Sequence, residues 1–217
     1  MRANGACVPS GRQRVHRNDA ANHSMTMRDG LGTGYLLLPL LGGGIFHGLC
    51  MKFGWLAVLK RPIDGGRTLR GRRLFGANKT IRGVVAVGIG TAIVLGVQAE
   101  LLHRLPSVRA MELFDYSRVN GWLLGFLVGA AAMCAELPNS FVKRQLDVRP
   151  GEAARGTIGL VLYLVDQVDL LVGAWLAFAL ILDVRLVWVL WSVVIVAVVH
   201  QLLTTVTYAL GMRASSR

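Results

Sequence analysis

Five apolar stretches, residues 34–59, 83–102, 119–137, 157–182 and 186–210, each come near the ~20 residues that a helix needs to cross a bilayer. A soluble bundle of the same helices would carry polar faces at helical period, and residues 186–199 carry almost none. Composition agrees: 53% of the 217 residues are hydrophobic and only 17% charged, too apolar for an ordinary globule and for disorder. Cys7, Cys50 and Cys134 are few, odd in number and far apart, which argues against a disulfide scaffold or a cysteine metal site. The expected fold is therefore all-α, a polytopic integral membrane protein with about five transmembrane helices.

Two regions follow. Residues 1–33 are polar and lack the apolar segment of a secretory signal, so they read as a disordered tail or an upstream extension, with Met25 and Met27 as alternative starts. Residues 34–213 form the transmembrane domain. The net charge of +12 lies in short blocks between the apolar runs rather than in an aromatic-lined groove, so nucleic acid is not an expected partner. Membrane lipids and anionic ligands at the membrane surface fit better. Lys60, Arg61, Arg67, Arg70, Arg72, Arg73, Lys79 and Arg82 crowd the first loop against a single Asp64, and Lys143, Arg144, Arg149 and Arg155 lie on the same side. An excess of basic residues marks the cytoplasmic face, so a site built on these loops faces the cytoplasm.

Charges inside a spanning helix are costly and mark functional positions. Asp166 and Asp169 stand three residues apart in the fourth apolar stretch, on one helical face. Two acids so placed repel unless a cation lies between them. Mg²⁺ suits hard carboxylate oxygens; protonation, or a Lys or Arg from another helix, would serve as well. At the end of the third stretch, Glu136, Ser140 and Lys143 form one stripe with Arg144 beside it, provided the helix continues past Pro138. This suits a metal ligand in the membrane and phosphate-holding cations at its surface, though Lys143 and Arg144 could equally be positive-inside anchors.

The first loop joins glycines to cations. Gly65, Gly66, Gly71 and Gly76 let backbone amides approach an anion, and Lys79, Thr80 and Arg82 follow at the entrance to the second span. A polyphosphate cradle and a basic loop resting on anionic lipid both fit. It is not a Walker loop, because Ala77 and Asn78 stand where Lys and Ser or Thr are needed. His47 and His200 are lone membrane histidines of the kind that usually make interhelical hydrogen bonds; His200 ranks higher as polar support because Gln201, Thr204, Thr205 and Thr207 surround it.

The run E-L-P-N-S-F-V-K-R from Glu136 to Arg144, D-Q-V-D from Asp166 to Asp169, and K-T-I-R-G from Lys79 to Gly83 resemble the CTP-dependent phosphatidate cytidylyltransferase superfamily. Within it, R-P-I-D-G-G-R-T-L-R-G-R-R-L-F-G from Arg61 to Gly76 is similar to the CDP-archaeol synthase branch, which is also short and five-spanning, with a late histidine that His200 matches. One departure is Ala135-Glu136, where the family usually has Gly-Asp. The resemblance implies transfer of CMP from CTP to a lipid phosphate, giving a CDP-lipid and pyrophosphate. It implies Mg²⁺ on Glu136, Asp166 and Asp169, with Lys79, Lys143, Asp166 and Asp169 catalytic. Nucleotide and phosphate would be held by Arg67, Lys79, Thr80, Arg82, Ser140, Lys143 and Arg144.

Three rivals stand beside this reading. A CDP-alcohol phosphotransferase would need a D-G-x-x-A-R motif that the chain lacks. A cation- or proton-coupled transporter would relay through Glu136, Asp166, Asp169 and His200 but calls for a repeat that is not found. A CTP-dependent lipid kinase would use similar acids and transfer the γ-phosphoryl group.

Overall fold

The structure, a computed structural model, describes residues 26–105, 108–149 and 156–209. Five long helices form: α1 (Met27–Phe53), α2 (Ile81–Arg104), α3 (Gly121–Gln145), α4 (Gly156–Ala179) and α5 (Leu186–Ala209). By length and composition α1 to α4 can each cross a membrane, and α5 adds the shorter apolar stretch Leu186–Val199. Large apolar side chains such as Ile45, Trp122, Leu160, Leu176 and Leu186 point outward, where a bilayer rather than water accepts them. Inside, Leu36, Leu95, Leu124, Val128 and Phe178 form the apolar core.

The first three helices start where the sequence supplies a cap. Thr80 accepts a bond from the Gly83 amide at 3.2 Å, and Asn120 accepts one from Leu123 at 3.0 Å. α1 begins at Met27 rather than at residue 34, which corrects the boundary of the expected tail; residues 1–25 lie outside the described residues. The reason is a reciprocal capping box between Thr26 and Asp29, reinforced by a 3.1 Å bond from the Trp188 indole to the buried Asp29. Tertiary contact to α5 thus holds helical a segment whose glycines and polar residues read as tail.

Consecutive helices pack side by side, and α5 returns against α1 as well as α4. Apolar burial cannot drive this in lipid, so close approach of small residues does. A Cβ on Gly90 would stand 2.9 Å from the Gly43 backbone, and one on Gly125 would stand 2.6 Å from that of Ala92. α3 runs through Pro138 to Gln145, so Glu136, Ser140 and Lys143 do share a stripe. The fold is not purely helical. In the first loop, β1 (Thr68–Leu69) pairs antiparallel with β2 (Arg72–Arg73) across a turn in which Arg70 and Gly71 both have positive φ, 52° and 79°.

Candidate active site

The first loop is built around an acid that sequence reading counted only as a lone counter-charge. The Asp64 carboxylate is buried and accepts bonds from the Gly66 amide at 2.9 Å, the Phe75 and Gly76 amides at 3.2 Å each, and Arg73 Nη2 at 2.9 Å. Gly66 and Gly76 take left-handed φ of 84° and 96° to turn their amides inward. The glycines therefore cradle an internal anion, Asp64, at least as much as they could cradle a ligand. The signal was present as Asp64-Gly65-Gly66, a side-chain-capped turn.

This hub fixes the loop against α3. Gln145 Nε2 donates to the Arg73 carbonyl at 3.5 Å, while Arg72 bonds the Gln145 carbonyl and reaches the Asp147 carboxylate at 2.5 Å. A Cβ on Gly76 would lie 3.1 Å from Arg144 Nε, so the loop backs onto that guanidinium. The Ile63 amide donates to the Lys79 carbonyl at 2.9 Å and the Ile81 amide to the Arg61 carbonyl at 3.0 Å, which sets Lys79 at the mouth of α2.

Burial by itself would raise the Asp64 carboxyl, but bonds from Gly66, Phe75, Arg73 and Gly76 outweigh it and hold it below the usual carboxylate range. A depressed folded pKa contributes stability that is fully present above the unfolded value of about 3.9 and is lost as pH falls through the folded one. The loop should therefore keep its order throughout neutral pH. Asp64→Asn, which makes the side chain permanently neutral, is expected to lower thermal stability at pH 7. The deficit should narrow as pH falls through the folded pKa of Asp64; a deficit equal at all pH values would contradict the assignment.

At the membrane end of the loop, acids and bases from the loop, α3 and α4 meet. Lys79 pairs with Glu136, and Lys143 pairs with Asp166. Asn139 Nδ2 donates to Asp166 Oδ1 at 2.5 Å and to Asp169 Oδ2 at 3.3 Å, and Asp169 Oδ1 accepts from the Leu170 amide at 2.7 Å. Asp169 is 8% exposed, whereas the Asp166 side chain is 43% exposed. The two carboxylates thus differ: one is sealed between α3 and α4, the other faces outward toward Lys143.

Expected site residues divide accordingly. Lys79, Glu136, Lys143, Asp166 and Asp169 come together, with Ser140 buried on the same stripe of α3. Arg82 and Arg144 each keep a buried Nε without a partner, so each retains a donor for an anion. Thr80 caps α2 with its hydroxyl, and Arg67 is exposed in the turn before β1. His200 lies on α5, but its side chain falls outside the described residues. His47, ranked below it from sequence, lies in the field of Arg82, Glu136 and Lys79. Asn139, inside the E-L-P-N-S run but given no role there, is the residue that joins both aspartates.

A divalent metal fits this donor set by chemistry, since carboxylate and amide oxygens are hard ligands and the Asn139 amide oxygen is buried with no partner. Among the described residues, however, no three His, Cys, Asp or Glu side chains are gathered as a metal-binding group, and lysines stand against two of the acids. A cationic partner from another helix, one of the alternatives left open by the aspartate pair, is what Asp166 has.

Residues 35–216 match the family model described as CDP-archaeol synthase, CarS-like. The chain belongs to the CDP-archaeol synthase family. Relatives in this family include CDP-archaeol synthase of Pyrobaculum aerophilum, 34% identical over 71% of this chain and 80% of that one. That of Methanoculleus marisnigri is 32% identical over 70% of this chain and 87% of its own. A solved structure described as an intramembrane enzyme for archaeal membrane lipid biosynthesis is similar with a TM-score of 0.51 and 26% identity, covering 76% of this chain and 88% of that one. As a CDP-archaeol synthase family member, the chain is a multi-pass integral membrane protein and a CTP-dependent cytidylyltransferase.

Proposed function

We propose that the cluster of Lys79, Glu136, Lys143, Asp166 and Asp169 is where CMP passes from CTP to a lipid phosphate of the archaetidic acid type, the substrate that the family implies. What supports this is the meeting of three carboxylates, the buried Asp169 among them, with two lysines where the first loop joins α3 and α4. The lipid approaches sideways within the bilayer and the nucleotide comes from the aqueous side. A phosphate monoester has its second pKa near ~6, so at neutral pH it is already an adequate nucleophile and needs no general base. One of its oxygens attacks the α-phosphorus of CTP while the bond to the bridging β-phosphate oxygen breaks, and that electron pair leaves with pyrophosphate.

The obstacle is repulsion between two polyanions. Lys79 and Lys143 move from their acidic partners to the phosphates, and Arg82 and Arg144 contribute their unused donors to the charge growing on pyrophosphate. A Mg²⁺ ion on Glu136, Asp166 and Asp169 would supply further charge neutralisation between the two phosphates. Asp64 keeps the loop in place while this occurs.

With CTP labelled on the α-phosphate, label is expected in the lipid product; a lipid kinase would leave the lipid unlabelled. Lys79→Ala and Lys143→Ala should each raise KM for CTP or lower turnover by about ten- to a hundred-fold. Normal rates in both variants would return these lysines to membrane anchoring. The cytoplasm is proposed as the side of the site, on the strength of the basic first and third loops. A cysteine placed at Arg72 should resist an impermeant thiol reagent in intact cells and react after lysis; labelling in intact cells would reverse the orientation.

A further inference from the structure

Asn139 has a side chain of which only half is paired. It lies on α3 one turn beyond Glu136, is 6% exposed, and spends its amide nitrogen on Asp166 and Asp169. Its amide oxygen is buried and meets no donor. A carboxamide offers donors on one side and an acceptor on the other, in almost the same shape, and the torsion that exchanges them is soft. With no cation between two carboxylates, the N–H side is the one they attract. Once a cation lies there the preference inverts, because the same spot then demands oxygen.

We propose that Asn139 is an oxygen ligand of the divalent cation at this site, its amide turning over so that Oδ1 replaces Nδ2 beside Asp166 and Asp169. This rests on the cytidylyltransferase reading above and adds a neutral donor to its three acids. The choice of amide over a fourth acid has a physical reason. When the cation leaves, the N–H face of Asn139 bridges Asp166 and Asp169, whereas a carboxylate at 139 would add to their repulsion. Asn139 therefore stabilises both states of the site, and a helix carrying it inserts with less charge.

Purified wild-type protein, Asn139→Leu and Asn139→Asp should be titrated with Mn²⁺ in the presence of CTP, with bound Mn²⁺ read by electron paramagnetic resonance and stability by thermal unfolding. Asn139→Leu, which has no oxygen, is expected to weaken Mn²⁺ binding by about ten-fold or more. Asn139→Asp should be less stable than wild type without metal, yet bind Mn²⁺ at least as tightly and recover stability on binding. Wild-type Mn²⁺ affinity in Asn139→Leu would overturn the assignment. So would Asn139→Asp binding weakly, since a carboxylate at a ligand position holds a divalent cation at least as well as an amide oxygen, and this arm remains readable should the Leu variant not fold. A wild-type protein that transfers CMP without binding Mn²⁺ would sink the ligand proposal and leave the reaction standing; one that transfers no CMP would sink the reaction itself.

Discussion

Asp169→Asn is expected to cut CMP transfer on the order of a thousand-fold while the protein still inserts and folds. Asp169 is sealed between α3 and α4, held by Asn139 and the Leu170 amide. Asn keeps the shape and removes the charge, and a less charged helix enters the membrane more easily. Asp166→Asn should be comparably inactive and should also release Lys143 from its partner. Glu136→Asp differs: it retains a carboxylate and restores the acid usual in the resembling motif, so partial activity should survive. Initial rates against Mg²⁺ concentration for these variants check the reading. Full activity in either Asn variant would refute it, whereas a structural ion pair predicts lowered thermal stability with unchanged Mg²⁺ dependence.

Gly173→Leu is expected to have the largest effect on the assembled fold. A Cβ at this position would stand 2.7 Å from both the Ala132 Cα and the Ala135 Cβ, and closer still to the Ala131 carbonyl. Backbone cannot yield as a flexible side chain does, so α4 must move away from α3. Gly173 lies one turn beyond Asp169 on α4. The same movement lengthens the 3.3 Å bond between Asn139 and Asp169, and the site opens together with the helix pair. Overpacking of this kind costs about 1–3 kcal/mol even for modest additions, and Leu adds four carbons. Thermal unfolding in detergent and CMP transfer should both fall, and Gly173→Ala should show the same direction more weakly. Gly44→Leu on α1, where nothing lies within 4 Å of the added atom, is the control and should leave both unchanged. Equal stability of the Gly173 and Gly44 variants would contradict the wedge.

Long helices and a charged membrane boundary were legible because they are written in local pattern. A run such as residues 186–199 leaves little choice but helix, and the E-L-P-N-S and D-Q-V-D runs mark themselves as polar residues where polarity is expensive. The start of α1 was not legible. Met27 to Thr33 contains two glycines and an acid, and it is held helical by a capping box and by Trp188, a residue more than 150 positions away. The Asp64 hub escaped for a related reason. A lone acid among cations reads as a counter-charge until the chain turns the Gly66, Phe75 and Gly76 amides onto it.

Pairing likewise belongs to tertiary structure. Sequence spacing set Asp166 and Asp169 on one face of α4 and aligned Glu136, Asn139, Ser140 and Lys143 along α3, because a 3.6-residue repeat fixes direction around a single helix. It could not decide which face of α3 meets which face of α4, since that depends on where small residues such as Gly173 permit backbones to touch. From this contact come the Lys143–Asp166 pair and the joining of both aspartates through Asn139; the pairing of Lys79 with Glu136 comes from the loop that sets Lys79 at the mouth of α2. By itself, the sequence determined a membrane-embedded helical chain with acids in the bilayer and bases at its edge. Only the packed helices decided which acid meets which base, because helical repeat is a property of one segment and contact is a property of two.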